Sequence, residues 1–196
     1  MAIIKHLDFE LPDFGECPGV SPERLAYHHA VLALQPDAYW RLGETSGVAA
    51  VNAANPGTYD GVYTPNSGGA WTGGTLGQTG AIIGDTNTAA LFDGSTGYVN
   101  CGDVLDPESD SYTAIAWIKL TTLSFSDGGG LLLTKGSIVS SYTGWAISVE
   151  NDGIIHVRCK ASSDLSQRAG QSGPTLAVDG HWRMLAMVLD RSKGQI

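Results

Sequence analysis

Apolar and polar residues alternate near the start of the chain, where Leu7, Phe9 and Leu11 recur at a period of two with Asp8 and Glu10 between them. Pro12, Gly15, Pro18 and Gly19 follow, so the pattern predicts an extended arm over residues 1–20 with one apolar edge. So short a strand cannot bury its face alone: it lies against the rest of the chain, against another subunit, or frays. Leu7, Phe9, Leu11 and Phe14 are its candidate docking residues. At residue 21 the period changes. Ser21 is an N-cap, Pro22 suits the first helical position, and Glu23 meets the positive end of the dipole. Leu25, His28, Val31, Leu32 and Gln35 then follow helical spacing until Pro36, which predicts a helix over 21–35. His28 and His29 are neighbours about 100° apart on such a helix, a poor metal pair, and are read as structural or surface residues.

From Ala38 onward, short apolar or alternating runs are separated by Gly, Asn, Asp, Ser and Pro. This all-β rhythm predicts strands near 38–42, 59–63, 89–93, 97–101, 112–120, 130–135, 144–150, 153–159 and 181–190. Thr113–Leu120 carries apolar residues at both parities, as a strand in the middle of a sheet would. Trp145, Ile147 and Val149 alternate with Ala146, Ser148 and Glu150, predicting a half-buried strand, and Asn151-Asp152-Gly153 turns it into Ile154–Cys159. The segment 66–88 reads as a long crossing loop, with Trp71 and Leu76 as its large apolar residues before Ile82.

Composition narrows the function. The 196 residues are enough for one well-filled core. A net charge of -9, with no cluster of Lys and Arg, argues against nucleic acid as a direct partner. No stretch approaches the roughly 20 apolar residues of a membrane-spanning helix, and Met1–His6 does not read as an export signal. Cys17, Cys101 and Cys159 are odd in number and widely spaced, and are read as reduced thiols.

Six motifs, in order, carry a resemblance. They are Ala38-Tyr39-Trp40-Arg41-Leu42-Gly43-Glu44-Thr45-Ser46-Gly47, Gly57-Thr58-Tyr59, Gly74–Ala81, Ala90-Leu91-Phe92-Asp93-Gly94 with Gly97-Tyr98-Val99, Tyr112–Ile118, and Asp179–Ala186. Over residues 36–196 the chain resembles a laminin G-like domain of the concanavalin A-like lectin/glucanase superfamily. The helix just before the Tyr39-Trp40 motif resembles the lead-in of copies found in phage structural and tail proteins. The resemblance implies an all-β jelly-roll sandwich preceded by the arm and the helix. Neighbouring strand residues face opposite ways, so of Tyr39 and Trp40 one enters the core and the other meets the preceding helix or the arm. The aromatics are read mainly as packing residues, with Trp71, in its loop, the candidate ligand contact.

Two departures qualify what the family would imply. Val48–Asn55 lacks the carboxylate that helps some relatives hold a rim cation, so no cofactor is assigned; Asp103, Asp106, Glu108 and Asp110 could supply some calcium oxygens but read as a solvated loop. In this family further strands follow Asp179–Trp182, so the natural protein is expected to continue past Ile196, or a neighbouring subunit to supply those strands. The paired carboxylates of a glucanase are missing, Glu150-Asn151-Asp152 being the nearest approach, and no Gly-x-Ser-x-Gly occurs. The expectation is a non-enzymatic virion structural protein, a decoration, fibre or tail appendage. It would dock through its arm on other virion proteins and its own subunits, as a homo-oligomer and as a trimer if it forms a fibre. Its sandwich would face a host glycan or surface protein. The alternative is an extracellular bacterial carbohydrate-binding or adhesion module.

Overall fold

Tyr39 and Trp40 take the two opposite environments that strand geometry demands. In the computed structural model, which describes residues 2–4, 27–106, 110–125, 129–137, 143–160, 168–172 and 175–190, Trp40 is 2% exposed in the main core. Tyr39 instead packs with Val31 and Tyr27 of a helix, α1 (Tyr27–Ala33). The predicted residues 21–26 of that helix, and the docking residues Leu7, Phe9, Leu11 and Phe14, lie outside the described residues.

Among the described residues fifteen strands follow one another: β1 (Ala2–Ile4), β2 (Ala38–Tyr39), β3 (Ala49–Ala50), β4 (Gly61–Thr64), β5 (Asn66–Ser67), β6 (Ala70–Trp71), β7 (Gly74–Thr79) and β8 (Thr88–Phe92); then β9 (Tyr98–Asn100), β10 (Tyr112–Ile118), β11 (Gly129–Ser137), β12 (Thr143–Glu150), β13 (Ile155–Lys160), β14 (Arg168–Ser172) and β15 (Arg183–Leu189). One four-stranded sheet has the order β15-β10-β1-β2 and a second the order β11-β12-β13-β14. Tyr112 and Ala114 of β10, Met187 of β15, and Trp145, Ile147 and Val149 of β12 share one buried cluster, with the Tyr112 and Trp145 rings 5.6 Å apart. This is the packing of a β-sandwich, in which large side chains fill the space between layers about 10 Å apart. A three-stranded sheet β3-β4-β9 and the hairpins β5-β6 and β7-β8 complete it.

Two expectations are corrected. The segment 66–88 is not one loop: β7 pairs with β8, Gly74 opposite Phe92 and Thr79 opposite Thr88. Its glycines hid it. A Cβ on Gly74 would come within 2.5 Å of the Trp71 ring, so only glycine lets the strand pass beneath that indole. The strand β12 is buried on both faces, including Ala146 and Ser148. These small side chains are flanked by the longer ones of Thr134 and Arg158, and of Leu131 and His156, in register on the strands beside them.

Candidate functional site

The alternation along β4 decides what the three-stranded sheet shows to solvent. Gly61 and Tyr63 are buried, Val62 is exposed, and Thr64 is half-buried. The antiparallel register sets Ala49, Val62 and Asn100 in one row across the sheet and Thr64 beside Tyr98 in the next. The outward face therefore carries Val62 at 44% exposure and Tyr98 at 52%, together with Asn100. Tyr98 and Asn100 are two residues apart on one strand, hence on the same face at about 7 Å. Asn100 accepts the Gly102 N–H through Oδ1 at 2.9 Å. Its amide NH2 keeps no partner among the described residues and is a hydrogen-bond donor beside an aromatic ring.

The turn before β9 fixes where Tyr98 stands. Asp93 Oδ1 accepts the N–H groups of Ser95, Thr96 and Gly97 at 2.9, 2.8 and 2.8 Å, and Oδ2 accepts the Thr96 hydroxyl at 2.5 Å. The Thr96 hydroxyl and these N–H groups hold the Asp93 carboxyl well below the usual carboxylate range. Gly97 follows because a Cβ there would collide with the Gly73 carbonyl. Asp93 is thus fully engaged in shaping the turn.

Beneath the face lies a rigid aromatic floor. Tyr63, fully buried, donates its hydroxyl to Glu44 Oε2 at 2.8 Å, while Glu44 Oε1 accepts the Val51 N–H at 3.0 Å. Burial, then the Glu44 partner, pushes the Tyr63 hydroxyl far above its ordinary pKa. Trp71 is here too, not on the surface. Its ring centroid lies 4.9 Å from Tyr63 and 5.0 Å from Phe92, and its indole N–H donates to the Thr64 carbonyl at 3.2 Å. At 8% exposure Trp71 has a packing role rather than the predicted ligand contact. The aromatic exposed on this face is Tyr98, and the parity of Gly97-Tyr98-Val99-Asn100 in the sequence is the signal that could have found it.

The other candidate groups are engaged elsewhere. Lys135 Nζ lies against Asp103 and, at 3.2 Å, against Asp106. An ammonium group already sits where a calcium ion would need these oxygens, so this acidic group does not fit calcium; Glu108 lies outside the described residues. Among the described residues no group of three or more His, Cys, Asp and Glu side chains is arranged to hold a metal. Glu150 pairs with Arg158 at 3.2 Å, and Asp152 accepts the Ile154 N–H at 2.9 Å. Asp179 takes both arms of the Arg183 guanidinium, at 2.8 and 2.6 Å, and the His181 N–H at 3.1 Å. Cys101 is a free, half-buried thiol whose pKa burial pushes up to about 11, which leaves it unreactive near neutral pH.

Fold and surface together define a lectin-like β-sandwich with an uncharged aromatic and amide face. The chain belongs to the concanavalin A-like lectin/glucanases superfamily, whose laminin G-type family model matches residues 93–196, from the Asp93 turn through β15. Membership suggests carbohydrate binding or adhesion, and domains of this type are typically extracellular. No helix among the described residues is long and apolar enough to cross a membrane. Neither the curated proteins nor the solved structures gave a match.

Proposed function

We propose that the chain is a non-enzymatic glycan-binding or adhesion module, and that its ligand lies on the outward face of the β3-β4-β9 sheet. One observation carries the reading: Tyr98 and Asn100 stand side by side on an exposed sheet face. An aromatic ring offers a flat apolar platform to the C–H face of a sugar, and an adjacent amide can donate to a hydroxyl. Val62 and Ala49 extend the platform, and none of these four residues is charged. That favours a neutral sugar over an acidic one, which the net charge of -9 would repel. The absence of catalysis is supported by Glu150 and Asp152, the nearest approach to a glucanase pair, which serve an ion pair and a turn.

The finer part of the proposal is that this module is displayed on a virion as a decoration, fibre or tail appendage. Its support is the helix leading into Tyr39-Trp40, which resembles the lead-in of phage structural copies. A glycan array and a glycoprotein pull-down with the whole chain test the binding role, and silence in both would refute it. Deletion of residues 7–14, which spares β1, tests the virion role. It should abolish incorporation into particles and leave the sandwich folded; unchanged incorporation would refute anchoring by the arm. Flanking capsid or tail genes would favour the virion over a bacterial adhesion module.

A further inference from the structure

The outward face of the β3-β4-β9 sheet holds a hydrogen-bond donor whose direction is fixed. Asn100 Oδ1 accepts the Gly102 N–H at 2.9 Å, a bond the amide would lose if it turned over, so Nδ2 stands on the exposed face as a donor only. Directly across the sheet is Val62, 44% exposed, at the Cα separation of about 5 Å that an antiparallel pair imposes. Exposed Ala49 continues the row on the far side of Val62. Tyr98 lies on the diagonal from Val62, about 7 Å away, which is within reach of an aromatic side chain. Thr64, opposite Tyr98, donates its hydroxyl to the Val62 carbonyl at 3.1 Å and is committed there.

Three neighbouring positions thus present a ring, an aliphatic patch and a single N–H donor. A plain hexose matches this poorly, because a hydroxyl laid on Val62 or Ala49 gives up its water and receives no hydrogen bond in return. An N-acetyl substituent matches each part. It is a secondary amide with the geometry of a trans peptide unit, so its methyl carbon lies about 3.8 Å from the ring carbon that bears it. That span, added to half the width of a pyranose, bridges the diagonal from Tyr98 to Val62. With the sugar ring on Tyr98, the methyl group meets Val62 and the carbonyl oxygen faces Nδ2 of Asn100. The N–H of a trans amide points the opposite way and keeps its water.

We propose that the ligand is an N-acetylated amino sugar, seated with its ring on Tyr98, its acetyl methyl on Val62 and its acetyl oxygen on Asn100 Nδ2. This inference rests on the glycan-binding reading and narrows it to one class of sugar. It is tested by calorimetric titration of the whole chain with oligomers of N-acetylglucosamine and of glucose, equal in length and linkage. The acetylated oligomer should bind about tenfold tighter, the scale of one methyl contact and one hydrogen bond. Val62→Thr keeps the shape and replaces a methyl group with a hydroxyl, and should cut this preference to less than about threefold. Asn100→Asp keeps the acceptor for Gly102 and replaces the donor with a carboxylate, and should abolish the preference. Both positions are exposed, so circular dichroism should show both variants folded. Equal affinity for the two oligomers, or an undiminished preference in either variant, would overturn the assignment and leave glycan binding standing. If neither oligomer binds, a glycan array decides. Hits confined to sugars without an acetamido group would overturn the assignment alone, and silence would remove the glycan-binding reading with it.

Discussion

The indole N–H of Trp117 donates to the hydroxyl of Tyr27 across 2.9 Å, and the two rings meet edge to face with centroids 6.1 Å apart. This bond ties α1 to the central strand β10. Isolated helices shorter than about 12–15 residues are marginal in water, so contacts such as this one order α1. Tyr27→Phe, which keeps the ring and removes the acceptor, should lower stability by about 1 kcal/mol in urea unfolding. Tyr27→Ala should cost about 2 kcal/mol by losing the packing as well. An unchanged midpoint in Tyr27→Phe would show that the bond contributes nothing.

The same helix gives the protein a pH dependence. The His28 ring stacks on Tyr39 with centroids 5.7 Å apart, and its Nδ1 is buried with no partner among the described residues. Burial lowers its pKa, with Arg41 and His29 adding to the effect and Asp85 opposing it. The unfolded chain therefore takes up the proton first as pH falls. Stability should be level above about pH 6.5, the ordinary histidine value, and decline as pH drops from there toward the lowered folded value. His28→Phe should remove that decline. Chemical unfolding between pH 5 and pH 8 would show it, and an identical slope in His28→Phe would contradict the assignment.

Asn52, fully buried, organises the entry into the sandwich. Its Oδ1 accepts the Tyr39 N–H at 2.9 Å and the Ala54 N–H at 3.1 Å, and its Nδ2 donates to the Thr58 carbonyl at 2.8 Å. Asn52→Ala would leave three polar groups short of a partner and should cost about 3 kcal/mol. Asn52→Asp keeps the acceptor but loses the donor and buries a charge, and should be comparably unstable. Thermal melts of both would check this, a loss below about 1 kcal/mol arguing that water replaces the side chain.

Lys135, in place of a metal ion, holds Asp103 and Asp106 together. Both carboxylates are mostly exposed, so Lys135→Met should cost no more than about 1 kcal/mol. Adding calcium or a chelator should leave the melting temperature of the unaltered chain unchanged. A rise with calcium would mean that an ion is bound that this arrangement does not provide for.

Much of the architecture was legible because periodicity carries it. The split environments of Tyr39 and Trp40 follow from strand alternation alone, and the β12-β13 hairpin follows from Asn151-Asp152-Gly153. β7 escaped because Gly74 and Gly77 supply no pattern, and it is specified instead by the Trp71 ring that Gly74 must pass. Trp71 was misplaced for the same reason. A loop-like sequence context made it look accessible, whereas the β5-β6 hairpin turns it inward against Tyr63 and Phe92. The slot filled by Ala2–Ile4 was hidden because three residues carry too little pattern to place a strand in the middle of a distant sheet.

The most direct test of the binding reading is titration of the isotope-labelled chain with neutral and acidic oligosaccharides, followed by amide NMR and repeated with Tyr98→Ala and Asn100→Ala. Both sites are exposed, so either substitution should change stability by less than about 0.5 kcal/mol. A neutral oligosaccharide should shift the signals of Val62, Thr64, Tyr98 and Asn100, and Tyr98→Ala should weaken binding at least tenfold. Shifts confined to another surface, or full affinity in Tyr98→Ala, would contradict the binding reading.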